Sequence, residues 1–160
     1  MTHFAMGVLR RVQNRLNESQ IELENVIALD RNNARAFQQL GRTQMLLGQP
    51  EAAIPQLERA IRLNPHDPNI ASYYWALGVS NLISGRVDDA ADLLSKARAA
   101  NTRLFFIPLA RASALGLKGN LDEAKTVLAE AIKLKPEVNS LARWRDENPV
   151  GNPEYWALWE

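Results

Sequence analysis

A short pattern of glycine, carboxylate and alanine recurs three times in this 160-residue chain. The copies read GQPEAA, GRVDDA and GNLDEA, and their glycines (Gly48, Gly85 and Gly119) are 37 and 34 residues apart. A weaker copy precedes them, with Asn14 in place of the turn glycine, because asparagine tolerates the left-handed backbone that glycine adopts. A period of about 34 residues is typical of helix–turn–helix units that bury their apolar faces by stacking.

Each copy divides at its glycine into two runs whose apolar residues recur every three or four positions, which predicts a pair of helices. In the second unit, the first helix is predicted over 35–47 and the second from Pro50 to the residue before Asn64. Small residues such as Gly41 are expected to let the two backbones approach closely. Pro55 is expected to kink the second helix or to delay its start.

These units resemble the tetratricopeptide repeat family, whose pattern places an aromatic residue, Leu-Gly, alanines and a proline at set spacings. The residues that carry the resemblance are Phe37, Leu40, Gly41, Ala53, Leu57, Ala60 and Pro65, then Tyr74, Leu77, Gly78, Ala90, Leu94 and Ala97, then Ala112, Ala124, Leu128, Ala131 and Pro136. Pro108 and Arg111 depart from the pattern in the fourth unit. The resemblance implies an all-α, right-handed superhelical array of antiparallel helix pairs with a C-terminal capping helix.

The chain is therefore predicted to be a single domain over 1–160. The predicted segments are repeats at about 1–33, 34–67, 71–104 and 105–137, a capping helix at about 138–147 and an aromatic tail at 148–160. Residues 64–145 with their cap and tail are also similar to the repeat segment that follows the catalytic domain in bacterial class III adenylate/guanylate cyclases. That resemblance implies a bacterial origin and a regulatory or scaffolding role in signalling, but no cyclase activity, since only repeats and cap are present.

Composition argues against catalysis. The chain has no cysteine, and its two histidines, His3 and His66, have no carboxylate partners at metal-ligand spacing. The paired acids Asp88-Asp89 and Asp122-Glu123 recur at the predicted start of a helix, where carboxylates favour the helix dipole. We expect no enzyme activity, cofactor or metal.

Charge and hydropathy restrict the partners. The chain has 19 basic and 18 acidic residues, without the basic excess of a nucleic-acid binder. No signal peptide is evident, and no apolar run approaches the ~20 residues that cross a bilayer. We expect a cytoplasmic protein that binds neither nucleic acid nor membrane.

The family resemblance implies that the first helix of each pair lines a concave groove where peptides bind. Periodicity predicts the inward positions Arg35, Gln38, Arg42, Met45, Ser72, Trp75, Val79, Leu82, Phe106, Leu109 and Ser113. This surface is basic and polar early and apolar late, which favours an amphipathic peptide with acidic groups near Arg35 and Arg42 and a large side chain near Trp75. Alternatively, Trp75 and Phe106 pack between neighbouring helices.

The tail contains Tyr155, Trp156 and Trp159 after a segment with two prolines and a glycine, so it cannot continue the capping helix smoothly. Three hypotheses remain open: the tail covers the end of the core at Trp144, it occupies its own or a neighbour's groove, or it is disordered. The predicted function is a non-catalytic module that binds a protein or peptide in its groove. The alternative is homo-oligomerisation through the groove or the tail.

Overall fold

The computed structural model describes residues 2–157 and 159, so positions 1, 158 and 160 of the predicted first repeat and tail lie outside the described residues. Within the described part, four antiparallel helix pairs follow one another without a strand. The pairs are α1 (His3–Val12) with α2 (Leu16–Leu29), α3 (Ala34–Leu46) with α4 (Pro50–Leu63), α5 (Ile70–Ile83) with α6 (Val87–Ala100), and α7 (Phe106–Leu117) with α8 (Leu121–Leu134). The 3-10 turn Pro136–Val138 leads to α9 (Leu141–Glu147) and the short α10 (Pro153–Ala157). The predicted all-α array of helix pairs is confirmed.

The turn inside each pair has one residue in the left-handed conformation. The φ angles are 58° at Asn14, 68° at Gly48, 77° at Gly85 and 79° at Gly119. At the second turn, the N–H of Gly48 donates to the carbonyl of Met45, which satisfies a carbonyl at the end of α3. The predicted replacement of a turn glycine by asparagine in the first unit is confirmed.

A second set of glycines brings the two helices of a pair together. A Cβ atom added at Gly41 would lie 2.6 Å from the Cγ of Leu57, and the equivalent atoms at Gly7 and Gly78 would meet their leucines at 2.7 and 2.8 Å. Leu57 is fully buried, so it has no room to move away. The predicted close approach is confirmed in the first three pairs.

The two helix prolines have different surroundings. Pro108 is buried in the first turn of α7, where a missing N–H leaves no hydrogen bond unmade. Pro55 is exposed inside α4, and α4 begins at Pro50, so Pro55 does not delay the start of the helix.

The loop between α4 and α5 is held by a buried carboxylate. Asp67 is 3% exposed and accepts hydrogen bonds from the Tyr73 hydroxyl (3.1 Å), the Asn64 amide (3.1 Å) and the backbone N–H of Asn69 (2.8 Å). Burial first, and then Asp67, raise the pKa of Tyr73 to about 12. This network joins the end of α4 to the start of α5.

Candidate peptide-binding face

The segment that follows α9 folds back onto the first helices of the array. The Asn152 N–H donates to the carbonyl of Leu46 (2.9 Å), and its side-chain amide donates to the carbonyl of Leu47. The N–H of Gly151 donates to Oδ1 of Asn14 at 3.0 Å. The last carbonyls of a helix lack partners within the helix, so Asn152 completes the end of α3. The tail is therefore attached to the turns of the first two helix pairs.

Two aromatic side chains of the tail, Tyr155 and Trp156, are buried. Tyr155 is 3% and Trp156 4% exposed, and both belong to the same apolar core as residues of α3 and α5. The guanidinium of Arg145 lies over the ring of Trp156, 5.5 Å from its centroid. Asn152 also caps α10, since its Oδ1 accepts the N–H of Tyr155 at 3.1 Å.

Successive ring contacts run from the helix array into the tail. The Trp75 and Phe106 centroids are 4.8 Å apart, and those of Phe105 and Trp144 are 5.3 Å apart. Neighbours along the row lie 4.8 to 6.2 Å apart, in the order Trp75, Phe106, Phe105, Trp144, Trp159, Tyr155 and Trp156. All but the tilted Trp144–Trp159 pair are edge-to-face, an arrangement that adds to the stabilisation from burial alone.

A cavity of about 450 Å³ lies between the tail and the helices. One wall of the cavity is formed by the first helices of the four pairs and the residue before α7. We call this wall the A-helix face, defined by Arg11, Arg42, Leu46, Trp75, Phe105 and Phe106. The tail supplies the opposite wall, with Pro149, Val150, Tyr155 and Trp156 among its residues. Most of this surface is apolar or aromatic, and its basic residues come from α1 and α3.

The two arginines of the A-helix face lack acidic partners among the described residues. The guanidinium of Arg42 lies over the ring of Trp75, and Arg11 donates to the side-chain oxygen of Gln39 at 3.1 Å. The Nε atoms of both arginines are buried without a hydrogen-bond partner in the described chain. Glu147, which also lines the cavity, pairs with Lys135 at 2.9 Å instead.

The protonation equilibria reflect this desolvation. Burial, and then the neighbouring Arg42 charge, lower the pKa of Arg11 to about 9. Burial also lowers the pKa of Arg42 below its ordinary value. Burial raises the pKa of Tyr155 to about 12, against the opposing effect of Arg42. An anionic group in the cavity would relieve the cost of the two unpaired cations.

The tetratricopeptide repeat family matches this sequence over residues 4–68, 38–103 and 109–138. The chain belongs to the tetratricopeptide repeat family. Members of this family are protein–protein interaction modules and are generally non-catalytic. The finer resemblance to the repeats of bacterial cyclases stays a prediction.

Solved structures of the same fold support the assignment. The chain is similar to TTC0263, a thermophilic tetratricopeptide repeat protein of Thermus thermophilus, with 20% identity, a TM-score of 0.75 and coverage of 90% of this chain and 78% of that one. It is similar to MamA from Desulfovibrio magneticus RS-1, with 17% identity, a TM-score of 0.74 and coverage of 86% and 76%. Another MamA crystal structure has 23% identity and a TM-score of 0.71, with coverage of 96% and 90%. At these identities the likeness concerns the fold. No curated protein matches the sequence.

The predicted groove residues of this tetratricopeptide repeat chain differ in burial. Those buried are Gln38, Met45, Trp75, Val79 and Leu82, those partly buried are Arg42, Ser72, Phe106, Leu109 and Ser113, and Arg35 is exposed. Arg42, Trp75 and Phe106 come together on the A-helix face, whereas Leu109 and Ser113 line a different cavity at the C-terminal end. Their role in binding stays a prediction.

The tail residues make both of the contacts that were predicted as alternatives, one with Trp144 at the end of the core and one with the groove. Trp159 packs on Trp144 at 6.2 Å between ring centroids, as a cap over the end of the core would. Tyr155 and Trp156 lie in the cavity against the A-helix face.

Arg11 lines the cavity but is not among the groove positions predicted from the sequence. A signal was present, because Gly7 aligns with Gly41, and this register puts Arg11 at the inward position held by Met45 in the next unit. The anchoring role of Asn152 had no such signal, since no repeat contains an equivalent residue.

Other kinds of site find no support within the described residues. There, no group of three or more histidine, cysteine or carboxylate side chains is arranged to hold a metal ion. Among the same residues, no helix combines the length and apolar character needed to span a bilayer.

Proposed function

We propose that this chain is a protein-interaction module that binds a peptide or protein segment on the A-helix face. The observation that carries the proposal is the docked tail, because it is a short segment held on that face by backbone hydrogen bonds and buried aromatic rings. Asn152 uses its backbone and side chain on the end of α3, while Tyr155 and Trp156 fill the apolar surface. A partner segment uses the same kinds of contact.

The charge of the face specifies the partner further. Arg11 and Arg42 are desolvated and lack ion pairs within the described chain, while the Nε1 atom of Trp75 is buried without an acceptor. Hydrogen bonds to charged groups contribute more than neutral ones, and buried donors without acceptors are costly. The preferred segment therefore carries a large apolar side chain for the aromatic surface and a carboxylate for the arginines.

The tail competes with any such segment. A covalently attached segment has an effective concentration in the millimolar range when its linker spans the site, so a free peptide of equal intrinsic affinity must exceed that value to displace it. Weakening the tail is thus expected to expose the binding activity of the face.

A fluorescent peptide with the sequence of residues 148–160 tests the proposal in trans. The full chain with Tyr155→Ala and Trp156→Ala is expected to bind this peptide in an anisotropy titration, and the parent chain is expected to bind it far more weakly.

The matched controls use substitutions on and off the face. Adding Trp75→Ala and Arg42→Glu to the tail variant should abolish binding without changing helical content by circular dichroism. Adding Arg62→Glu, an exposed position of α4, should leave affinity unchanged. The proposal fails if the folded tail variant does not bind the peptide, or if the Trp75/Arg42 variant binds it with unaltered affinity.

Two finer predictions accompany this proposal. A regulatory or scaffolding role in bacterial signalling, in the cytoplasm, rests on the cyclase resemblance. Homo-oligomerisation through the groove or the tail remains the alternative, although the tail contacts described above are made within one chain.

A further inference from the structure

Exposed large apolar residues concentrate at the two ends of the array. Within the described residues, every exposed large apolar side chain of the helix pairs belongs to the first pair or to the last pair. They are Leu9, Val12, Ile21 and Leu29 of α1 and α2, and Leu117, Leu121, Leu128 and Leu134 of α7 and α8. Terminal units of repeat proteins normally present a polar outer face to water, so apolar ends need a covering partner.

One exposed position at the start of the array belongs to the surface that successive units use to stack. Leu9 lies five residues before the turn residue of its unit, and the equivalent residues are Thr43, Ser80 and Ala114. These three are 0 to 1% exposed, whereas Leu9 is 39% exposed. Ser19 of α2 meets Thr43 of α3 with 3.0 Å between their hydroxyl oxygens, which places this position against the preceding unit.

The end of the array exposes the complementary surface. Leu121, Ala124 and Leu128 lie two, five and nine residues after their turn glycine, at the positions held by Leu16, Ser19 and Leu23 in the first unit. Leu16, Ser19 and Leu23 are 0 to 6% exposed beneath the next unit, while Leu121 is 60% and Leu128 37% exposed.

The capping segment leaves this surface open. A cavity of about 390 Å³, which we call the end groove, is lined by Leu121, Ala124 and Leu128 on one side. Trp144 of α9 and Trp159 of the tail line another side. The end groove therefore corresponds to the place where a following unit would dock its first helix.

We propose that the end groove receives α1 of a second copy of this chain, so that copies stack end to end and continue the array. The register identifies the occupant. Ser19 lies against Thr43 of the next unit, and the equivalent pairs at the following junctions are Ala53 with Ser80 and Ala90 with Ala114. Continuing the same register places Ala124 against Leu9 of the second copy. The contact uses different surfaces on the two copies, so it does not close on itself and adds further copies with concentration. It leaves the A-helix face out of the interface, whereas Trp159 of the tail lines the end groove.

Sedimentation velocity of the full chain over a wide range of concentrations tests the stacking. The parent chain is expected to grow beyond a dimer as concentration rises. Leu9→Glu places a charge on the α1 contact surface, and Leu121→Glu places a charge in the end groove. Each variant alone should stay a monomer, because it has only one functional contact surface. Their equimolar mixture should form a one-to-one complex that does not grow, because each variant retains the end that the other lacks.

Controls separate stacking from other association and from misfolding. Ile21→Glu places the same charge at an exposed position whose equivalents (Pro55, Asp92 and Thr126) are all exposed, and it should associate like the parent. Ala5→Glu, at another exposed position of α1, serves in place of Leu9→Glu if circular dichroism shows that variant to be unfolded. A parent that is monomeric at every concentration, single variants that associate like the parent, or a mixture that stays monomeric would overturn the proposal. None of these outcomes bears on peptide binding by the A-helix face.

Discussion

The guanidinium carbon of Arg42 lies 5.4 Å from the centroid of the Trp75 ring. The two residues come from neighbouring units, α3 and α5, so their contact exists only when the units stack. A cation over a tryptophan face is attracted by the ring, but the ring does not replace a carboxylate. The Trp75 ring thus holds the Arg42 guanidinium in place but does not neutralise its charge. A surface with this property favours the binding of an acidic segment.

Replacing Arg42 by methionine is expected to stabilise the chain and to weaken binding. Removing a desolvated cation that has no counter-ion should raise the free energy of unfolding by about 1 kcal/mol. Denaturant unfolding measures the first effect, and the anisotropy titration in the tail variant measures the second. Arg59→Met is the control, because Arg59 also lies over a ring, that of Phe37, but is exposed. A loss of stability in Arg42→Met would contradict the account.

Gly41→Ala is expected to destabilise the chain, since the new Cβ atom would lie 2.6 Å from Leu57 and 3.1 Å from the carbonyl oxygen of Ala53. Overpacking of this kind costs about 1–3 kcal/mol, which thermal or denaturant unfolding would detect. Gly116→Ala is the matched control in α7, because nothing lies within 4 Å of its Cβ position. It should stabilise the chain by about 0.5–1 kcal/mol. Equal effects of the two substitutions would refute the close approach.

Alkaline pH should reveal the burial of Tyr155. Its pKa is about 12 when folded and about 10 when unfolded, so its contribution to stability is complete below pH 10 and is lost as pH rises to about 12. The loss amounts to roughly 2–3 kcal/mol for this residue. Denaturant unfolding at a series of pH values should show a shallower decline for Tyr155→Phe than for the parent. Identical pH profiles would mean that the phenol is not buried.

Much of the array could be predicted because its signals act within one unit. The turn at Gly48 and the contact of Gly41 with Leu57 each depend on residues a few turns apart in sequence. Asn14 replaces the turn glycine in the first unit and still adopts the left-handed backbone. The turn could therefore be predicted even where the glycine is absent.

The docked tail could not be predicted in the same way. Asn152 binds carbonyls of Leu46 and Leu47, more than a hundred residues earlier, and no periodicity relates these positions. The exposure of Leu128 could not be predicted either, because Leu128 occupies the repeat position of Leu57, which is fully buried. Its exposure reflects the absence of a stacked unit at the end of the described array.

The distance between the tail and the helix array tests the central claim most directly. The chain has no cysteine, so Asn17→Cys and Ala157→Cys, both at exposed positions, allow two spin labels to be attached selectively. Double electron–electron resonance should give one narrow distance distribution in the free chain. The peptide of residues 148–160, added in excess over the effective concentration of the tail, should replace it by longer, broader distances as the tail leaves the A-helix face. A broad distribution in the free chain, or a narrow one that persists while the peptide is bound, would contradict the account.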